Sequence, residues 1–188
     1  MRRLSISGAM ALPLLLAGCS GAMLETYDLN AVQPPARHVL RGAFHIPEPT
    51  ATTDLDSDRI LLRAGPERLA VLADAKWPDR LPVILKARLT QSFQNAGLSG
   101  EIDARPFVPG ERQLALDIRK FELVVSCSCV RIDIAAKVIG GSSGIVAAQD
   151  FVAEARVAST APANVSVAMN GALATVLTRI VAFAAALL

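Results

Sequence analysis

Residues 114–138 read Leu114-Ala115-Leu116-Asp117-Ile118-Arg119-Lys120-Phe121-Glu122-Leu123-Val124-Val125-Ser126-Cys127-Ser128-Cys129-Val130-Arg131-Ile132-Asp133-Ile134-Ala135-Ala136-Lys137-Val138, and their period decides the fold. Leu114, Leu116 and Ile118 alternate with Ala115, Asp117 and Arg119, the repeat of a strand with one apolar face. The phase then slips so that Phe121, Leu123 and Val125 continue it, which predicts a bulge near Lys120. After the cysteines, Val130, Ile132, Ile134, Ala136 and Val138 form one face opposite Arg131, Asp133 and Lys137. Gly140 to Gly144 is a loop of turn residues, and Ile145 to Val157 returns as a third strand. The three make an antiparallel meander over 114–157, one face packed and one wet.

The packed face needs a cover. Leu85, Leu89, Phe93 and Ala96 recur at helical spacing within 81–96, with Pro82 in the first turn and Gly97 as the stop. In 165–187, Met169, Leu173, Val176, Ile180, Phe183 and Leu187 repeat at four and three, and Arg179 is the single charge. That stretch reads as a second packing helix; a membrane span or an alanine-faced oligomer interface are the alternatives. The fold class is α+β, a sheet packed by two main helices. Upstream, Glu25 to Leu29 predicts a brief strand and Arg37 to Ile46 a second, Thr50 to Asp58 a polar loop. Ile60 to Leu72 fits a short hairpin or a strand followed by a turn of helix, and 105–112 reads as a connector.

The first residues carry a different message. Arg2 and Arg3 precede an apolar run, Ala9 to Leu16, which closes on Leu16-Ala17-Gly18-Cys19. A basic start, an apolar core and small residues before the cut make a secretory leader, and a cysteine directly after Leu-Ala-Gly is the residue a lipoprotein peptidase leaves first. The expected organisation is a signal peptide over 1–18, a lipidated tether over 19–24 and one domain over 25–188. Cys19 would carry a diacylglyceryl thioether and an N-acyl chain such as palmitate, and chains burying about 0.8 kcal/mol per CH₂ keep a protein on its membrane. The twin arginines match the folded-protein export signal poorly. Ser20 is not the aspartate that retains enteric lipoproteins at the inner membrane, so the expectation is the outer membrane, periplasmic face.

Removing Arg2 and Arg3 from nineteen basic residues leaves seventeen against seventeen acidic ones, so no electrostatic footprint for nucleic acid remains. No block of like charge marks a polybasic lipid-binding patch. Cys127 and Cys129 are too few for a disulfide framework. They read as a structural disulfide, made easier by a tight turn, or as plain buried thiols, with redox or metal chemistry as the alternative. Two cysteines with His38 and His45 far upstream do not assemble a metal site. Asp54, Asp56 and Asp58 resemble a calcium loop but lack its glycine and terminal glutamate, so a solvated loop is expected. The glycine loop lacks a Walker-A lysine and a following helix. Trp77, in Lys76-Trp77-Pro78, is either a packing anchor or an exposed docking residue. No nucleophile with a base, carboxylate pair or metal cluster is visible, so neither an enzyme nor a cofactor is expected.

The run Leu55-Asp56-Ser57-Asp58-Arg59-Ile60, then Leu69, then Ala75-Lys76-Trp77-Pro78-Asp79-Arg80-Leu81-Pro82 and Leu85, leading into Leu89, Phe93 and Gly97, resembles the auxiliary lipoproteins of ABC-type transport systems, the paraquat-inducible protein C family among them. The lipobox, Tyr27-Asp28-Leu29 and the alanine-rich stretch Ala168 to Leu188 extend the likeness over nearly the whole mature chain. The chain departs where the family often has a tryptophan near the C-terminus and a second aromatic before Asp28. The resemblance implies an α/β sandwich similar to the TolB N-terminal domain. It also implies an outer-membrane anchor and partnership with an MCE-domain substrate-binding protein, its permease and its ATPase, in moving lipids or other apolar compounds. Cys19 is the one family site carried over. The rivals are a periplasmic lipid-binding carrier, and a structural or regulatory envelope lipoprotein acting on cell-wall machinery. A homo-oligomer is compatible with each.

Overall fold

In the computed structural model the described residues are 24–34, 44–98, 111–140 and 144–187. In chain order they form β1 (Glu25–Thr26), β2 (Phe44–His45), β3 (Thr50–Ala51), β4 (Arg59–Arg63), β5 (Leu69–Lys76), α1 (Leu81–Asn95), β6 (Arg112–Val124), β7 (Cys129–Gly140), β8 (Gly144–Arg156) and α2 (Pro162–Ala185).

The alternating stretch is the meander β6-β7-β8, antiparallel throughout, and its first register shift falls between Ile118 and Lys120, where the phase slips. The sheet does not end there. β2, β3 and β4 all run parallel to β6 and share its other edge, at Arg112–Gln113, Asp117–Ile118 and Glu122–Val124. The order is β1-β5-β4-β6-β7-β8 with β2 and β3 alongside β6, so the sheet as a whole is mixed. Segment 60–72 is the hairpin, β4 antiparallel to β5, and β1 lies parallel to the end of β5. The polar loop expected from Thr50 to Asp58 begins instead with a two-residue strand, β3, in which Thr50 pairs with Asp117, because the β6 edge offers it partners; 52–58 are loop. Of the strand expected from Arg37 to Ile46, Phe44 and His45 are strand, and 37–43 lie outside the described residues. The expected connector lies mostly outside them too, with β6 beginning at Arg112.

Both helices cover one face of the sheet. From α1 come Leu85, Leu89 and Phe93, and from α2 come Met169, Leu173, Val176 and Ile180, all fully buried against Leu114, Ile118, Val130, Ile132, Ile134 and Val138. Gly97, at φ +77°, ends α1. Its N–H donates to the Gln94 carbonyl (2.9 Å), and the Leu98 N–H to that of Phe93 (3.0 Å), with both flanking side chains buried. By length and composition α2 could span a membrane, with a mean hydropathy of 1.6. Here its apolar stripe is spent on β7 and β8.

The sheet has two distinct ends. At one, Arg63 pairs with Leu69 and Val124, and Cys129 with Arg156; this is the cysteine end. At the other, Arg112 starts β6 and Gly140 pairs with Gly144; this is the glycine end.

Candidate functional site

The stretch quoted for the resemblance folds as a clasp around the start of α1. Trp77 N–H donates to the Asp58 carbonyl (2.7 Å) and Leu81 N–H to that of Ser57 (3.0 Å), so the acidic loop holds both sides of the β5–α1 link. Arg80 bridges Asp56 (2.5 Å) and Glu48 (2.8 Å). The hydrogen bond that Arg80 donates to Asp56, then the one it donates to Glu48, raises the Arg80 pKa above its ordinary value. Asp56 therefore serves structure, and Lys76 stands 3.9 Å from Asp58. Among the described residues no group of three or more His, Cys, Asp or Glu could hold a metal ion. Trp77 is buried, edge-on to Phe121 with ring centres 6.0 Å apart.

Cys127 and Cys129 are joined by a disulfide across the β6–β7 turn, with Cα atoms 5.2 Å apart. Ser128 between them takes a left-handed φ of 49°, and its carbonyl accepts the Val157 N–H (2.9 Å), which ties the turn to the exit of β8. Cys127 is exposed and Cys129 buried. Cys19 lies outside the described residues.

Residues 27–33 form no strand, yet their backbone is satisfied by side chains from both helices. Arg88 Nε donates to the Leu29 carbonyl (2.5 Å) while its Nη2 meets Asp28 (2.5 Å). Ser92 Oγ accepts from Val32 N–H (3.0 Å), and Asn95 Nδ2 donates to the Val32 carbonyl (2.9 Å). Asn170 on α2 accepts from Asn30 N–H (2.7 Å) and donates to the Asp28 carbonyl (3.1 Å). Leu29 is fully buried beneath this lacing. None of it was legible in the sequence, since these polar residues occupy ordinary helical positions.

The wet face of the meander carries paired charges. Arg63 Nε donates to the buried Glu122 carboxylate at 2.8 Å, and this hydrogen bond raises the Arg63 pKa; Arg119 is raised likewise, first by Asp150, 2.9 Å away. Arg131 pairs with Glu154 at 2.6 Å. Each of these ion pairs joins two strands of the sheet. The exposed large apolar residues are Leu69, Val71 and Val125 at the cysteine end, Ile145 and Val146 at the glycine end, Val152 between them on β8, and Val167 on the outer side of α2.

A mixed sheet covered on one face by two helices, with its N-terminal segment tied to both, defines an α+β domain. A crystal structure of a Xanthomonas campestris protein of the DUF330 family superposes with a TM-score of 0.76 at 24% identity, covering 87% of this chain and 95% of that one. A second crystal structure, described as an uncharacterized protein, superposes at 0.65 with 11% identity, over 87% and 97%. An uncharacterized protein of Bradyrhizobium diazoefficiens is 28% identical over 164 residues, 85% of this chain and 44% of that protein; the chain thus spans under half the length of this relative. Residues 27–181 match the ABC-type transport auxiliary lipoprotein component family. The chain belongs to that family.

Proposed function

We propose that the protein is a non-catalytic docking component of an ABC-type system that moves lipids or other hydrophobic compounds between membranes, held by Cys19 on the periplasmic face of the outer membrane. Its partners would be an MCE-domain substrate-binding protein, the permease and the ATPase. The family match over 27–181 carries this reading. Packing favours docking over a lipid carrier. The side chains between helices and sheet, Leu85, Leu89, Met169, Leu173 and Val176 among them, have no exposed surface, as in a close-packed core.

The test is affinity capture of the lipidated protein from its own membranes beside a Cys19→Ala version, with mass spectrometry of proteins and lipids. Recovery of an MCE-domain protein with its permease and ATPase is the expected result, reduced when the anchor is lost. Stoichiometric lipid without a transporter would favour the carrier, and cell-wall enzymes alone the structural rival.

A further inference from the structure

The direction of β1 determines which end of the domain its tether can reach. β1 is parallel to β5 with Glu25 opposite Ala75, so the chain before Glu25 enters from the side on which β5 begins. Cys19 precedes Glu25 by six residues, and Leu69, opposite Arg63 beyond the β4–β5 register shift, lies level with Val124. At roughly 3.3 to 3.6 Å per extended residue, six residues span ~20 Å, enough to bring Cys19 level with Leu69. The glycine end is farther. Arg59 is opposite Lys76, and Leu61 opposite Glu122, which puts Glu25 near the level of Phe121; from there to Arg112 is nine residues of β6. That is ~30 Å at strand rise, beyond the same tether.

The end within reach has exposed apolar side chains, as the glycine end does in Ile145 and Val146, so reach is what separates the two. Leu69 is 41% exposed, Val71 44% and Val125 42%. Leu69 and Val71 project where β5 has β4 on one side only, and Val125 sits on the turn closed by the Cys127–Cys129 disulfide and pinned by the Val157 N–H. Arg68 and Arg156, both exposed, stand beside them.

We propose that the cysteine end is the face the protein lays on the bilayer. Leu69, Val71 and Val125 enter the boundary between headgroups and acyl chains, with Arg68 and Arg156 at headgroup level. The occupant of this surface is the membrane that holds the anchor, and the inference rests on the reading of Cys19 as the lipidated residue. It turns Ile145 and Val146, at the glycine end, away from the bilayer.

The test uses the full-length lipidated protein in liposomes of phosphatidylethanolamine and phosphatidylglycerol containing a brominated phosphatidylcholine. One tryptophan is added at a time to exposed positions, Leu69→Trp, Val125→Trp and, as the opposite-end control, Ile145→Trp. The signal of buried Trp77 is subtracted using the parent chain. Flotation and the mass of the N-terminal peptide report the anchor separately. The expected result is flotation of all variants with loss of most of the added fluorescence for Leu69→Trp and Val125→Trp and none for Ile145→Trp. Flotation with equal quenching at both ends, or with quenching at neither, overturns the orientation and leaves the anchor standing. An unlipidated Cys19 with no flotation overturns both.

Discussion

Arg179 Nη1 donates to the Val152 carbonyl at 3.1 Å while its guanidinium lies 5.5 Å from the centre of the Phe151 ring, so the only charge on α2 is planted on the outermost strand of the sheet. Among the described residues β8 has β7 on one side and no strand on the other, and such an edge is a template for pairing with a further chain. Arg179→Ala removes the guard. The expected outcome is greater concentration-dependent self-association in sedimentation velocity, with a stability loss of about 1 kcal/mol from the lost hydrogen bond and cation–π contact.

Arg63 and Glu122 form the most buried ion pair of the wet face, with Glu122 only 3% exposed. Removing the cation strands a buried carboxylate, so Arg63→Ala should cost about 2 to 3 kcal/mol in urea unfolding. Glu122→Gln, which keeps an acceptor for the guanidinium, should cost less. Because the hydrogen bond raises the Arg63 pKa, the contribution of the guanidinium is fully present below the ordinary arginine range and is lost only above it. The effect of Arg63 ionisation should therefore be flat between pH 6 and pH 9.

Trp77 fills core volume against Phe121, and Trp77→Ala should lower stability by about 3 to 5 kcal/mol, enough to threaten folding. The milder check is spectroscopic. As the chain's only tryptophan, fully buried, it should emit at short wavelength and resist quenching by iodide until the protein is unfolded.

The Cys127–Cys129 bridge closes a three-residue loop, which limits the entropy it removes from the unfolded chain. On that account Cys127→Ser with Cys129→Ser, or reduction, should cost about 1 to 2 kcal/mol in thermal melts and leave the far-ultraviolet circular dichroism unchanged.

Asn170 holds residues 28 and 30 from α2, so Asn170→Ala should loosen 27–33 locally rather than globally. Hydrogen exchange at those amides should accelerate about tenfold, as expected for ~1.4 kcal/mol of lost local stability, while the β6–β7 amides stay protected.

Alternation in 114–157 was enough to find the meander and even the shift near Lys120, and the spacing of Leu85, Leu89, Phe93 and Gly97 was enough to find α1 with its stop. These signals are local, because a strand or helix repeats its buried side at its own period. The family resemblance was legible for a related reason: the run from Leu55 to Leu85 is a single clasp whose members lie close in sequence. Nothing local could say that β4 enters parallel beside β6, that 60–72 is the hairpin and not a strand followed by a turn of helix, or that Arg80 would take up Asp56. Those outcomes depend on which distant edge offers unpaired N–H and carbonyl groups, and on which charges the closed chain brings within reach of one another. The same holds for the lacing of 27–33 by Arg88, Ser92, Asn95 and Asn170. The composition and pattern of the chain by themselves determined the elements and the face each one buries; their order in the sheet, and the end at which the tether emerges, were decided only when the long-range pairings closed.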